Sequence, residues 1–221
     1  KVRGRKDVEY LSMPFAGEIP LKTEAGKKGS THTNKSIIIK QGHRDIINEA
    51  FRVLRTNLEF MLDAKIEDKA SVTLFTSFNP GSGKTFITMN IAATFAMKGK
   101  RVLVIDGDLR HSSASLGMQS KGLSDYLSKR ENDVNNLIKE YPDCPGLFLL
   151  PVGTIPPNPT ELLATPLFED LITRLRELYD YIFIDCPPVD IVADTQIIEK
   201  LTDRTIFVVR AGLLERDMLP E

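Results

Sequence analysis

The sequence has no tryptophan, three histidines and two cysteines in 221 residues. Cys144 and Cys186 stand far apart, without CxxC spacing or a histidine at ligand spacing, which argues against a zinc site and a disulfide framework and fits a reduced, cytosolic compartment. No apolar run approaches the ~18 residues needed to cross a membrane, and no signal peptide is visible. An excess of one charge is also missing. Lys and Arg total 29 against 30 Asp and Glu, a formal net charge of −1, so duplex DNA is not the expected partner and no nucleic acid is. What remains is a chain long enough for one large α/β domain, or for such a domain with an appended arm. It starts at Lys1 and stops at Leu219-Pro220-Glu221, so it is expected to be a piece of a longer protein.

The stretch with the most chemical content is residues 71 to 85, SVTLFTSFNPGSGKT. Ser71 to Thr76 is apolar and β-branched and predicts a buried strand. The chain then breaks at Asn79-Pro80-Gly81 and resumes with a helical pattern after Gly83. Strand, glycine-rich turn and helix start, in that order, form an anion cradle, because unpaired N–H groups and the positive helix end face one point. Lys84 adds a mobile positive charge and Thr85 a hydroxyl suited to Mg²⁺. The strict P-loop pattern asks for glycine where this chain has Phe78, so the loop is a variant. Taken alone, Gly-Ser-Gly-Lys also fits a flexible turn before a surface helix.

The flanking segments read as follows. Residues 1 to 36 carry basic clusters, prolines and few apolar residues, and predict an arm with a mobile loop near 22 to 35; residues 37 to 221 form the main domain. Ile37 to Ile39 is a short strand or an extended segment. From Arg44 to Leu62 the pattern is helical, with Ile46, Ala50, Val53, Leu54, Leu58 and Met61 on the inner side and Glu49, Arg52 and Arg55 outward. A helix from Thr85 to about Lys98 precedes the strand RVLVID, residues 101 to 106, which delivers Asp106, Asp108 and Arg110 to a loop. Residues 122–129 and 134–140 predict short helices and Leu147 to Leu150 a strand. Pro156 to Pro159 predicts an extended loop, and Thr165-Pro166 starts a helix to about Leu178. Tyr181 to Asp185 is a strand with a second acidic tip, residues 193–201 are helical, and Arg204 to Val209 is one more buried strand. The alternation predicts a mostly parallel sheet with helices on both faces and a ligand at the strands' carboxyl ends.

Three strands thus end in reactive groups: Lys84 and Thr85 on one, Asp106 and Asp108 on another, Asp185 on a third. Mg²⁺ takes octahedral oxygen ligands and retains waters, so a hydroxyl and a few carboxylates beside a phosphate chain suffice. A second acidic loop near a γ-phosphate could position a water or accept the proton of a protein hydroxyl, and the chemistry alone leaves both open.

Taken together, PGSGKT, VLVIDGDLR and YIFIDCPP resemble the Walker A, A′ and B motifs of the bacterial tyrosine kinases of capsule and exopolysaccharide assembly. Glu49-x-x-Arg52-x-x-Arg55 matches that family's ring-interface motif, and Pro157-Asn158-Pro159-x-Glu161-Leu162-Leu163 is similar too. The resemblance implies a P-loop fold like that of the cell-division and partitioning ATPases, and tyrosine autophosphorylation with ATP and Mg²⁺. Carried over, Gly81, Ser82, Gly83, Lys84, Thr85 and Phe86 would bind ATP. Thr85, Asp106 and Asp185 would serve the metal, and Lys84, Asp106 and Asp108 would be catalytic. Asp106 is either the general base or a ligand to Mg²⁺-bound water. Glu49, Arg52 and Arg55 would join copies into a ring. The resemblance further implies a transmembrane activator, fused or separate, a position at the inner face of the plasma membrane, and a cognate tyrosine phosphatase, with no direct polysaccharide binding. Lys1, Arg3, Arg5 and Lys6 suit a juxtamembrane segment, and on charge alone they suit an ordinary solvated tail equally.

One departure concerns the phosphate acceptor. The family's tyrosine cluster lies at the C-terminus, whereas the tyrosines here are Tyr10, Tyr126, Tyr141, Tyr179 and Tyr181, and the last forty residues hold none. The rival reading is a nucleotide-switched ATPase without kinase activity. Its signature lysine would stand where this chain has Asn79, which disfavours it.

Overall fold

The computed structural model describes residues 1–21, 37–62, 69–111, 121–189 and 193–219. The loop expected near 22 to 35 lies outside them.

Six strands form one sheet: β1 (Ser71–Thr76), β2 (Val102–Asp106), β3 (Lys139–Glu140), β4 (Leu147–Leu150), β5 (Tyr181–Asp185) and β6 (Arg204–Phe207). Their order is β3-β4-β2-β5-β1-β6. Every pairing is parallel except β3 with β4. Among the described residues the α-helices are α1 (Ile46–Leu62), α2 (Lys84–Ala96), α3 (Leu123–Leu127), α4 (Pro159–Leu163), α5 (Pro166–Leu175) and α6 (Asp194–Glu199).

The period-2 geometry of the strands divides their apolar residues between two cores. Val72, Leu74, Leu103, Ile105, Ile182 and Ile184 face the side covered by α3 to α6. Phe75, Val102, Val104, Leu147, Leu149 and Phe183 face α1 and α2. The central strands are buried on both faces, so the sheet is a rigid base whose carboxyl edge holds its loops in place. Among the described residues no helix is long and apolar enough to cross a membrane.

Several expectations are corrected. Residues 134–140 are not a helix. Asp133 accepts the Asn135 N–H and folds Val134–Asn136 into a 3-10 turn, after which Lys139–Glu140 adds an exposed antiparallel edge. Pro159 does not extend a loop; it is the first residue of α4, where its missing N–H costs nothing. β6 is a half-exposed edge strand ending at Phe207, because no further strand covers it. Of the two readings of residues 37–39, the extended segment packed on the body is the one observed. Ile38 and Ile39 donate their N–H groups to the Asn90 side chain on α2.

Helix α1 is rotated from its expected setting. Asp45 caps it, accepting from the Ile47 and Asn48 N–H groups at 3.1 and 3.0 Å. Phe51, Leu54 and Leu58 are the buried stripe, whereas Ile46, Val53 and Phe60 are 77%, 51% and 78% exposed. Ile46 and Val53 therefore point outward, and Phe51 takes the place assigned to them.

Candidate active site

The P-loop is folded by its own side chains. Ser77 Oγ and Ser82 Oγ both donate to the Asn79 carbonyl, at 2.9 and 2.7 Å. Gly81 and Gly83 have φ of 73° and 88°, a left-handed backbone that glycine adopts without a Cβ penalty. Gly83 is also the N-cap of α2, and no acidic residue occupies that helix's first turn. The positive end of a 13-residue helix and the loop amides are therefore left to an outside anion. Lys84 and Thr85 are the first two helical residues. Phe86 turns its ring toward Phe51, 5.9 Å between centroids, so its side chain belongs to the core and its N–H to the helix end.

Parallel pairing brings the acidic tips to this loop. β5 lies between β1 and β2, and its last residue, Asp185, is in register with Phe75 on one side and Asp106 on the other. Thr85 Oγ1 donates to Asp185 Oδ2 at 2.5 Å. Asp185 Oδ1 is buried with no hydrogen-bond partner. Burial pushes the Asp185 carboxyl from 3.8 up to about 7; the Lys84 ammonium and Thr85 hydroxyl pull it down, and Asp106 and Asp108 push it further up. An orphaned, desolvated carboxylate beside a hydroxyl is the donor set that a divalent cation relieves, so the residues fit Mg²⁺. Among the described residues no three His, Cys, Asp or Glu side chains form a metal cage. Mg²⁺ does not need one where phosphate oxygens and water complete its shell. Cys186, next in the chain, is buried and its thiol is pushed well above its usual value by that burial, so it is no nucleophile.

The loop after β2 is tied to the same strand. Gly107 N–H donates to the Asp185 carbonyl at 2.8 Å, and Asp108 N–H to Asp106 Oδ1 at 3.2 Å. A Cβ at Gly107 would stand 3.0 Å from Ile184 Cγ2 and 3.2 Å from the Asp185 carbonyl, so this turn needs glycine for close approach. His111 Nδ1 lies 2.9 Å from Asp108 Oδ2.

The structure thus gathers Lys84, Thr85, Asp106, Asp108 and Asp185 at one edge, with the Gly81–Gly83 turn. Glu49, Arg52 and Arg55 lie apart, on α1. Glu49 is exposed and bonds Arg52 at 2.8 Å. Arg55, expected outward, is only 16% exposed, its Nε 3.9 Å from Glu59 and its Nη1 3.4 Å from the Thr94 carbonyl of α2. Together with Lys40, Asn48 and Thr94, the two arginines line a cavity of about 130 Å³ between the helices.

Sequence reasoning missed the groups that brace this edge. Arg110 Nε donates to Asp194 Oδ2 at 2.9 Å, Arg110 Nη2 to Thr160 Oγ1 at 3.0 Å, and Thr160 Oγ1 to Asp194 Oδ1 at 2.6 Å. Asp194 is fully buried. The only sequence signal was Arg110 following two aspartates; its partners are 50 and 84 residues away.

A family model described as "AAA domain" matches residues 71–211. The tyrosine-protein kinase CpsD of Streptococcus pneumoniae is 38% identical over 168 residues, 74% of this chain and 71% of that protein. The tyrosine-protein kinase YwqD of Bacillus subtilis is 31% identical over 197 residues, 86% of this chain and 80% of that protein. The kinase domain of the Escherichia coli tyrosine kinase ETK superposes with a TM-score of 0.84 at 28% identity, covering 98% of this chain and 86% of that one.

Proposed function

The chain belongs to the bacterial tyrosine-protein kinases, P-loop enzymes, and from that premise we propose that it transfers the γ-phosphoryl group of ATP to tyrosines in the C-terminal tail of a neighbouring copy. The observation that carries this reading is the convergence at Asp185: Thr85 bonded to it at 2.5 Å, and Asp106 beside it in register.

The roles follow from charge and position. The Gly81 to Thr85 amides hold the β-phosphate, and Lys84 spans the β- and γ-phosphates to stabilise charge that builds as the bond to the leaving oxygen lengthens. Thr85 and Asp185 would hold Mg²⁺, which would supply charge neutralisation on the phosphate oxygens. Burial raises the Asp185 carboxyl to about 7 in the free protein, and a bound cation would favour its ionised form. Asp106 accepts the proton of the incoming tyrosine hydroxyl as its oxygen bonds to the γ-phosphorus, leaving ADP, phosphotyrosine and a protonated carboxyl. Asp108, paired with His111, supports the same loop.

Assembly completes the reaction. A head-to-tail contact through Glu49, Arg52 and Arg55 would present one copy's tail to the next copy's site, and such a contact closes into a ring. The setting we propose is the inner face of the plasma membrane, with a transmembrane activator preceding the domain, a phosphatase resetting the tyrosines, and capsule or exopolysaccharide export as the regulated output. The test is incubation of the chain, extended by a tyrosine-bearing tail, with γ-labelled ATP and Mg²⁺. Label on tyrosine that requires Mg²⁺ is expected. Release of inorganic phosphate with no labelled tyrosine would make the protein a nucleotide switch instead.

A further inference from the structure

Strand β6 ends beside the P-loop, and the chain beyond it stays paired to the end of β1, with the Val208 N–H donating to the Thr76 carbonyl at 2.8 Å. Two side chains reach the loop itself, one from the end of β6 and one from the run beyond it. The Phe207 ring lies 4.5 Å from that of Phe78, the residue standing where the P-loop pattern asks for its first glycine. Arg210 Nη1 donates to the Gly81 carbonyl at 2.8 Å. The run is held in turn by the start of the chain. Gly212 N–H donates to the Val2 carbonyl and Val2 N–H to that of Leu214, both at 2.8 Å. Phe78 and Val209 pack on the cluster of Val2, Leu214 and Leu219.

Gly81, like Gly83, is a loop position whose backbone no neighbouring atom confines. Its φ is 73°, and a Cβ built there would meet nothing within 4 Å, so no packing fixes its orientation. The peptide group joining Gly81 to Ser82 is planar, and its carbonyl and N–H point in opposite directions. Whatever holds the carbonyl therefore also aims the Ser82 N–H. We propose that Arg210 is a positioning residue for nucleotide binding: by holding the Gly81 carbonyl on the loop's outer side it turns the Ser82 N–H inward, toward the β-phosphate. The Phe78–Phe207 contact fixes the near end of the loop, and Arg210 fixes its tip. A loop organised this way before binding loses less entropy when a phosphate arrives. This rests on the reading of the P-loop as a nucleotide site.

Calorimetric titration of the whole chain with ADP and with a non-hydrolysable ATP analogue, in excess Mg²⁺, tests it. Arg210→Ala is expected to weaken both ligands alike, by about tenfold, because both share the β-phosphate and the lost bond has a charged donor. Arg210→Lys keeps one donor for a single acceptor and is expected to restore most of the affinity. Arg204→Ala, at the other end of β6 where the Arg204 side chain donates to the Asp203 carbonyl, is expected to bind like the wild type. The inference is overturned if Arg210→Ala binds both nucleotides normally. It is also overturned if only the ATP analogue is weakened, which indicates direct γ-phosphate contact, or if lysine fails to rescue while the melting temperature falls. A wild-type chain that binds neither nucleotide sinks the nucleotide reading itself, and the positioning role with it.

Discussion

Asp185→Asn should make the nucleotide-free protein more stable while abolishing phosphoryl transfer. Asp185 is 4% exposed, one of its oxygens has no partner, and burial raises its carboxyl from 3.8 to about 7. Moving a carboxyl over that range corresponds to about 4 kcal/mol against the ionised native form. Relaxation and water entry reduce such penalties, so we expect about half of it, ~2 kcal/mol. Between pH 3.8 and about 7 the native state holds a proton that the unfolded state has lost, so wild-type stability falls as pH rises through this window and levels off above it. Asparagine keeps an acceptor for the Thr85 hydroxyl and has no charge to desolvate. Thermal unfolding in chelator is then expected to show near-equal melting temperatures at pH 4 and a variant about 4–8 °C higher at pH 8, for a chain of this size. Saturating Mg²⁺ and ATP should raise the wild type and not the variant. Equal melting temperatures at pH 8, or a gap that does not change with pH, would refute the argument that this carboxylate is strained until a cation arrives.

Three further outcomes are expected. Lys84→Met should abolish tyrosine labelling with little change in melting temperature, since Lys84 heads α2 at the open edge of the sheet; wild-type labelling would remove the P-loop from the reaction. Gly107→Ala should lower stability by about 1–3 kcal/mol and slow transfer, because its Cβ would press on Ile184 at 3.0 Å and on the Asp185 carbonyl at 3.2 Å; a fully active, fully stable variant by denaturant titration and labelling would show that the loop yields without cost. Arg52→Ala combined with Arg55→Ala should leave a folded, ATP-binding monomer with reduced transfer between copies, and raised salt should mimic it; light scattering that gives an unchanged oligomer mass would reduce the two arginines to contacts within one copy.

What the sequence could reveal was local. The P-loop was legible despite Phe78 because strand, turn and helix start follow within fifteen residues and each needs particular residue types. The acidic tips were legible because a strand buried on both faces stands out as an uninterrupted apolar run, and the residue that ends it must be polar. From three such ends and a parallel sheet, the meeting of Lys84, Thr85, Asp106 and Asp185 followed from topology. The phase of α1 did not follow: Ile46 and Val53 compete with Phe51, Leu54 and Leu58 for the inner face, and helical periodicity alone cannot rank two apolar stripes. Only packing against α2 decided it, tucking Arg55 inward and leaving Ile46, Val53 and Phe60 outside. The braces were beyond reach for a related reason. Arg110 with Asp194, Arg210 with Gly81 and Phe78 with Phe207 join residues far apart in the chain, and nothing near either member specifies its partner. Sequence alone determined which groups stand at the strand ends, because a strand's burial is written in its own residues. The tertiary structure decided how those groups are held, because a hydrogen bond across the sheet edge depends on which strands are neighbours.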